Sequence, residues 1–492
     1  MNQTKMSQNK TLCIAEWQAF SVEDIKSVIA SEAKQSTQTN MDCHDSANAE
    51  SRNDKKLRDK AQKIFDEIKS FADEKGNHIF LNSYGKNHLK ARNFVGLIQT
   101  KSGFCLEILP KTFRAEKFDE KIKHSNNKDC QCSICKAKQI LLDMLKTLKD
   151  SPFKQSHISN LKIHRLPLLE VFAIMFLDEV ERLIKRGIKS DYVVREENRT
   201  FLKGKLLFGE NLKYNFAHKE RFFTQSDEFI ADIAPNRLIV SAILFLSTQG
   251  FSPRTSERIS QVRFVFADIA PSKSIDKDFA RCPSSRHYKD YELLLAWCEI
   301  FLRRKSFMPY QGGGQAFALL FDMNKLFEGF VAWHLKRECG GKYMISVQES
   351  RKYLLEVGGV RKFQIKPDIV CRNDDNRDSN VVFIADTKWK ILDFSKDDYG
   401  ISQGDLYQMF AYLAKYQCAK GYLIYPKIAD NESMEHRDFT YKAQICFYDD
   451  APKENPPPHK KQDMRLEIYF FDIRNPSNSA NKILTQANPK SL

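Results

Sequence analysis

Three charged residues could do chemistry together. They are Asp368, in the run Ile365-Lys366-Pro367-Asp368-Ile369-Val370, and Asp386 with Lys388, in the run Phe383-Ile384-Ala385-Asp386-Thr387-Lys388. They sit at the ends of apolar runs, where burying unpartnered charge is costly. A divalent cation would supply the partner. Carboxylate oxygens suit a hard ion such as Mg2+ (or Mn2+), and Mg2+ keeps several waters while taking one or two protein carboxylates. Such an ion polarises a phosphoryl group and lowers the pKa of a bound water. Lys388 would hold the attacking water or neutralise developing charge. The set therefore suits phosphodiester hydrolysis; read without a cation, it describes a surface hairpin carrying a salt bridge.

Positioning these groups requires particular elements. Side chains alternate between the faces of a strand, so Asp386 and Lys388 point one way and Thr387 the other. Residues Arg372 to Asn380 are rich in Asn, Asp and Arg, so the two apolar runs read as an antiparallel hairpin with a long polar loop. Pairing in register would bring Asp368 alongside. Downstream, Asp405 to Leu413 reads as a helix with Gln408 and Tyr412 one turn apart, placed to orient the lysine or the DNA backbone. Upstream, a helical pattern from about Ala316 to Arg337 sets Glu328 among apolar residues as an accessory carboxylate and further metal ligand. A strand at Gly421 to Tyr425 follows.

The chain has 492 residues, a net charge of +15, 42% hydrophobic residues and twelve cysteines. That length accommodates two to four domains with ample core. A basic balance favours a polyanionic partner, nucleic acid first among them. The cysteines are scattered mostly singly in apolar runs, which suits reduced thiols in a cytoplasm better than a disulfide framework. No apolar run is long enough for a membrane span, and Met1 to Lys10 is polar with no signal-peptide core after it.

The chain reads as a multidomain α/β protein. Residues 1–150 form a small N-terminal α/β module: a strand near Thr11 to Phe20, an amphipathic helix from Leu57 to Ala72, and strands at Ala91 to Gln99 and Phe104 to Leu109. Residues 27–54 are low in apolar content and read as a disordered insert. Cys132-Ser133-Ile134-Cys135 has zinc-ligand spacing, and His124 or Cys130 could complete a structural site. With no second Cys-x-x-Cys, free thiols in a loop are the competing reading. Residues 151–310 are mainly helical, with helices at Leu166 to Ile188, Asn236 to Leu246 and Tyr288 to Arg303. The basic and aromatic mixture from Lys213 to Phe223 could contact DNA or be a solvated loop. Gly312 to Gly314 is a joint, and no phosphate-binding loop occurs in the chain. Residues 311–475 hold the candidate chemistry, and 476–492 read as a disordered tail.

The order helix with Glu328, strand, Pro367-Asp368 strand, Asp386-Thr387-Lys388 strand, helix with Gln408 and Tyr412, strand resembles the PD-(D/E)xK nuclease core, including its RecB-like branch. Over most of its length the chain is similar to the McrC family, on Phe94 to Ile98 with Leu106 to Lys111, Gly204-Lys205-Leu206, Glu228-Phe229 with Asn236-Arg237, and the motifs just named. The resemblance implies a nuclease core with a mixed sheet flanked by helices. It implies Mg2+-dependent cleavage of double-stranded DNA by Asp368, Asp386 and Lys388, and phage defence against DNA carrying 5-methylcytosine. It also implies a McrB-like AAA+ GTPase hexamer as partner, docked on the N-terminal module, so that GTP enters only through that partner. Two other readings remain: a non-catalytic DNA-binding adaptor of the motor, and an autonomous RecB-like repair exonuclease.

Overall fold

The computed structural model describes residues 11–36, 47–85, 87–112, 132–148, 151–155, 166–283, 285–303, 316–373, 380–393, 395–396, 398–427, 437–445 and 462–487. The N-terminal part runs β1 (Thr11–Ala15), β2 (Ala19–Ser21), α1 (Val22–Ser36), α2 (Ala47–Asp73), β3 (Leu81–Ser83), β4 (His88–Ala91), β5 (Phe94–Thr100), β6 (Cys105–Leu109) and α3 (Ser133–Lys146). The middle runs α4 (Leu168–Arg186), β7 (Asp191–Arg199), β8 (Lys205–Leu206), α5 (Phe208–Asn215), β9 (Phe222–Ile230), α6 (Ala234–Ser247), α7 (Pro253–Val265), α8 (Ile275–Arg281) and α9 (Lys289–Leu302). Next come β10 (Ala316–Asp322), α10 (Met323–Glu338), β11 (Met344–Val347), β12 (Tyr353–Val357), β13 (Val360–Gln364), β14 (Ile369–Arg372) and β15 (Val381–Thr387). The chain closes with α11 (Gln403–Tyr416), β16 (Lys420–Lys427), β17 (Arg437–Ile445), β18 (Gln462–Asp472) and α12 (Pro476–Gln486).

Two sheets organise the fold. The first has the order β1-β6-β5-β10, with β1 parallel to β6 and the other neighbours antiparallel. The second is mixed, in the order β11-β14-β15-β16-β18-β17, with β15, β16 and β18 parallel. Its side chains alternate between two cores. Ile369, Phe383, Ala385, Tyr422, Ile424 and Tyr469 face α10 and α12, in a core continuous with the helical middle. Val370, Ile384, Leu423, Tyr425 and Ile468 face α11, packing on Met409, Tyr412 and Leu413. Gly421 makes that packing close: a Cβ there would meet the Met409 side chain at 2.9 Å.

Several expectations are corrected. Residues 316–322 are strand, not the first turns of a helix, and β10 pairs along β5 of the first sheet rather than with the second. Gly96 permits this pairing, since its φ is 135° and a Cβ would sit 2.0 Å from the Leu319 carbonyl oxygen. The helix begins only at Met323, where Asp322 caps it by accepting from the Asn324 N–H at 2.9 Å. The supposed insert at 27–54 is helical in its described parts: α1 extends to Ser36 and α2 begins at Ala47. Ile25 and Ile29 of α1 are buried with Ala61, Ile64 and Ile68 of α2, and that burial holds the pair together. The expected disordered tail forms α12 over 476–486, whose Ala480, Ile483 and Leu484 are buried in the same core as Phe330 and Phe471. The middle is mainly helical as read, but it also carries the three-stranded sheet β7-β9-β8. The Gly312 to Gly314 joint lies outside the described residues.

A buried ion pair in the N-terminal part also receives the start of the helical middle. Lys138 of α3 reaches Glu107 of β6 at 2.7 Å, and Glu107 also accepts the Leu168 N–H that opens α4. Both charges are enclosed, so each depends on the other for compensation.

Candidate active site

Strand pairing brings the three chemistry-bearing residues to one end of the second sheet. β14 and β15 are antiparallel, with Ile369 opposite Ala385 and Val370 opposite Ile384. Asp368 continues the face of Val370, and Asp386 that of Ile384, so both carboxylates are on the α11 side. Asp368 is fixed by two donors from β15: the Thr387 N–H and the Thr387 hydroxyl both reach Oδ2, each at 2.8 Å. The Lys388 N–H bonds to the Ile424 carbonyl at 2.9 Å, which prolongs the parallel pairing with β16 and aims the side chain. Lys388 Nζ then lies 2.7 Å from Asp386 Oδ2 and 3.3 Å from Asp405 Oδ1. It also donates to Gln408 Oε1 at 3.2 Å.

Helix α11 supports this arrangement as a chain of hydrogen bonds. Gln408 Nε2 donates to the Tyr412 hydroxyl at 2.7 Å, and that hydroxyl donates to the Lys366 carbonyl at 3.1 Å. Gln408 and Tyr412 therefore link the lysine to the strand bearing Asp368. Glu328 enters from α10, on the opposite side of the sheet. It is joined to Asp368 by Gln348, whose amide donates to Glu328 Oε1 at 2.5 Å and to Asp368 Oδ1 at 3.0 Å. The Gln348 N–H also bonds to the Asp368 carbonyl at 2.9 Å.

Two members of the site escape sequence reading, Gln348 and Asp405. Gln348 has φ 51°, a left-handed conformation uncommon for a residue with a side chain. Such strain costs of order 1–3 kcal/mol and survives where surrounding structure enforces it. Nothing in the local sequence announces it. Asp405 carried a weak signal, standing one turn before Gln408 in the helix already expected.

The electrostatics are those of crowded, half-dried carboxylates. Burial, then Asp368, raises Glu328 to about 7. Burial, then Asp368, raises Asp386 to about 6. Burial also raises Asp368, opposed by the hydrogen bonds from Thr387. Burial pulls Lys388 down, but Asp386 and Asp405 outweigh it, so the ammonium is held above its ordinary range. Lys388 is thus a cation held between two carboxylates.

The donor set suits a hard cation. Asp386 Oδ2 is buried, and apart from its ion pair with Lys388 it accepts no well-directed hydrogen bond from the described residues. An acceptor left so at a cluster of raised carboxylates is a place for a cation to be held. Among the described residues no three His, Cys, Asp or Glu side chains form a ready-made cage. Gln348 stands between Glu328 and Asp368, and Asp386 is turned toward Lys388. Two carboxylates with waters completing the shell are what Mg2+ ordinarily takes.

The other expected metal site is half visible. Cys132 caps α3, its thiol accepting from the Cys135 N–H at 3.4 Å, while Cys135 is buried. His124 and Cys130 lie outside the described residues. In the middle region, Tyr214 stacks on Phe223 at 5.4 Å, and Phe208 and Phe216 are strongly exposed. Among the described residues no helix is long and apolar enough to cross a membrane.

Comparison with known proteins shows what the chain is similar to. A family model described as "McrBC 5-methylcytosine restriction system component" matches residues 89–426. No curated protein matches the chain. Two solved structures from Thermococcus gammatolerans match the chain. One is described as a refined half-complex from a tetradecameric assembly of McrB AAA+ hexamers with bound McrC; the match has 17% identity, covers 96% of this chain and 100% of that one, and has a TM-score of 0.57. The other is a cryo-EM structure of the McrBC complex, with 20% identity, 70% of this chain and 90% of that one covered, and a TM-score of 0.40.

Proposed function

The chain belongs to the McrBC 5-methylcytosine restriction system component family, and from that premise we propose that it is the DNA-cutting subunit of such a system, a Mg2+-dependent endonuclease of the PD-(D/E)xK type. The observation that carries the reading is the convergence of Asp368, Asp386 and Lys388 at one sheet end, with Lys388 Nζ 2.7 Å from Asp386. The mixed sheet, with α10 and α12 on one face and α11 on the other, supports the core type.

Each residue has a physical task in this reading. Asp368 and Asp386 would hold the cation, with Glu328 adding a carboxylate from α10. The cation, when bound, polarises the phosphoryl group and supplies an acidified water. Thr387 and Gln348 fix the Asp368 carboxylate so that no reorganisation is needed at the moment of reaction. Lys388 stays protonated and neutralises charge that develops on the phosphate oxygens. Gln408, Tyr412 and Asp405 keep its ammonium from swinging away.

In this proposal the chain works with a McrB-like AAA+ GTPase hexamer and GTP is hydrolysed by that partner, as the similar half-complex holds McrC bound to McrB AAA+ hexamers. Exposed apolar side chains on the middle sheet and α5, among them Tyr192, Phe208, Leu212 and Phe229, support a protein partner. The test is cleavage of methylated duplex DNA by the purified complex with GTP and Mg2+. Asp386→Ala should abolish cutting while the complex still assembles. Undiminished cutting by that variant would remove the assignment.

A further inference from the structure

The second sheet carries an appendage that the reading above does not use. Between β11 and β14 the chain makes a two-stranded ribbon of β12 and β13, in register from Tyr353 opposite Gln364 to Val357 opposite Val360. Gly358 and Gly359 form its tip, with φ of 59° and 76°. Among the described residues no third strand pairs with it. Both of its faces are exposed along nearly the whole length.

A lone ribbon in water is marginal, because it has no sheet to bury its side chains against. This one nevertheless carries Leu355, Val357, Val360 and Phe363 in the open, with Phe363 69% exposed. Phe363 also has φ 56°, a genuine outlier for a bulky residue. Its charge is one-sided: Arg351, Lys352, Arg361, Lys362 and Lys366 against Glu356 alone. Arg351, Arg361 and Lys362 have no ion-pair partner among the described residues, so their charge faces outward, while Lys366 lies close enough to Glu328 to favour its charged form. The ribbon is also anchored to the site. Lys352 donates to the Lys415 carbonyl at the end of α11 at 2.8 Å. The Ile365 N–H bonds to the Lys352 carbonyl at 2.9 Å, and the Tyr412 hydroxyl holds the Lys366 carbonyl two residues before Asp368.

We propose that the β12–β13 ribbon is a DNA-binding arm that lies in a groove of the duplex beside the scissile phosphate. This rests on the nuclease reading of Asp368, Asp386 and Lys388, and names the surface that presents substrate to them. A two-stranded ribbon fits the major groove of B-DNA. Lysine and arginine along it neutralise phosphates, and exposed apolar side chains at the tip contact bases or wedge between them. Charge favours nucleic acid over a protein surface as the occupant, since a protein partner for an apolar ribbon has no need of three unpaired cations.

The test uses the full chain with its motor partner and a fluorescein-labelled duplex, in EDTA so that nothing is cut. Binding is titrated against salt for the wild type and for Arg361→Glu/Lys362→Glu. The expected result is a log–log salt slope shallower by about two and an affinity about tenfold weaker or more. Assembly with the motor and the melting temperature should be unchanged. An unaltered affinity and slope would overturn the proposal, and so would lost motor assembly with DNA binding intact. Should the charge-swapped chain fail to fold, Val360→Cys bearing a photo-crosslinker replaces it; crosslinks to the duplex are expected, and their absence would equally overturn the arm. Asp386→Ala keeps the two readings apart: continued cutting by it refutes the nuclease centre while the salt titration still judges the ribbon.

Discussion

The indole N–H of Trp389 donates to the Glu16 carboxylate at 2.5 Å, across 373 positions of sequence. Glu16 follows β1 and is wholly enclosed, with Lys111 Nζ 3.7 Å from its other oxygen. Lys111 also donates to the Trp389 carbonyl at 3.4 Å. Trp389 is the neighbour of Lys388 in the chain, and its ring packs on Phe327, the neighbour of Glu328, at 5.3 Å. The first sheet therefore grips a residue that adjoins both the strand and the helix arms of the candidate site.

Replacing Trp389 with Ala should destabilise the protein by roughly 3–5 kcal/mol, because a fully packed aromatic is lost and the buried Glu16 loses one of its donors. Trp389→Phe keeps most of the packing and isolates the hydrogen bond, at a cost of about 1–3 kcal/mol. Chemical denaturation of both variants checks the difference. No loss in Trp389→Phe would mean that the indole N–H contributes nothing.

Cation binding should stabilise the fold more at pH 8 than at pH 5.5. Glu328 is raised to about 7 and Asp386 to about 6, above their unfolded values. The folded chain therefore holds more protons than the unfolded chain between about pH 4 and 7, and stability without the cation falls as pH rises through that window. Cation binding needs the deprotonated carboxylates, so Mg2+ or Mn2+ restores what that rise removes. Thermal melts with and without Mn2+ at the two pH values measure it, and an equal shift at both would contradict the assignment.

Gln348 separates backbone strain from function. Gln348→Gly accommodates φ 51° freely, so its melting temperature should stay near that of the wild type. It loses the amide between Glu328 and Asp368. Mn2+ affinity, read by calorimetry, should drop about 10–100-fold, as for other residues that orient metal ligands. Gln348→Ala should lose the same affinity and be less stable by about 1 kcal/mol than the glycine variant.

Tyr412→Phe removes one hydroxyl that joins Gln408 to the Lys366 carbonyl. The expected cost is about 1 kcal/mol of stability. Cleavage should slow by about tenfold or more, through a loosened Lys388 and with DNA affinity unchanged. A loss of DNA affinity with the cleavage rate of bound DNA intact would place Tyr412 on the substrate instead.

Much of the site was legible in one dimension, because strand alternation has a period of two whatever the strand's neighbours. It put Asp386 and Lys388 on one face before any pairing was known, and the tertiary structure brings their charged ends to 2.7 Å on the α11 side. The one-turn spacing of Gln408 and Tyr412 was equally local. Residues 316–322 show the limit. Ala-Phe-Ala-Leu-Leu-Phe, before Asp322, is a short, wholly apolar run, which burial on both faces makes indistinguishable from a helix start; only its place along β5 makes it a strand. The helices at 27–36 and 476–486 form because partners distant in the fold cover Ile29 and Ile483. Gln348 and Glu16 gave no local sign at all. Their roles arise from hydrogen bonds to groups brought near by chain folding, and a buried donor or acceptor finds its partner only once the surrounding apolar faces have closed.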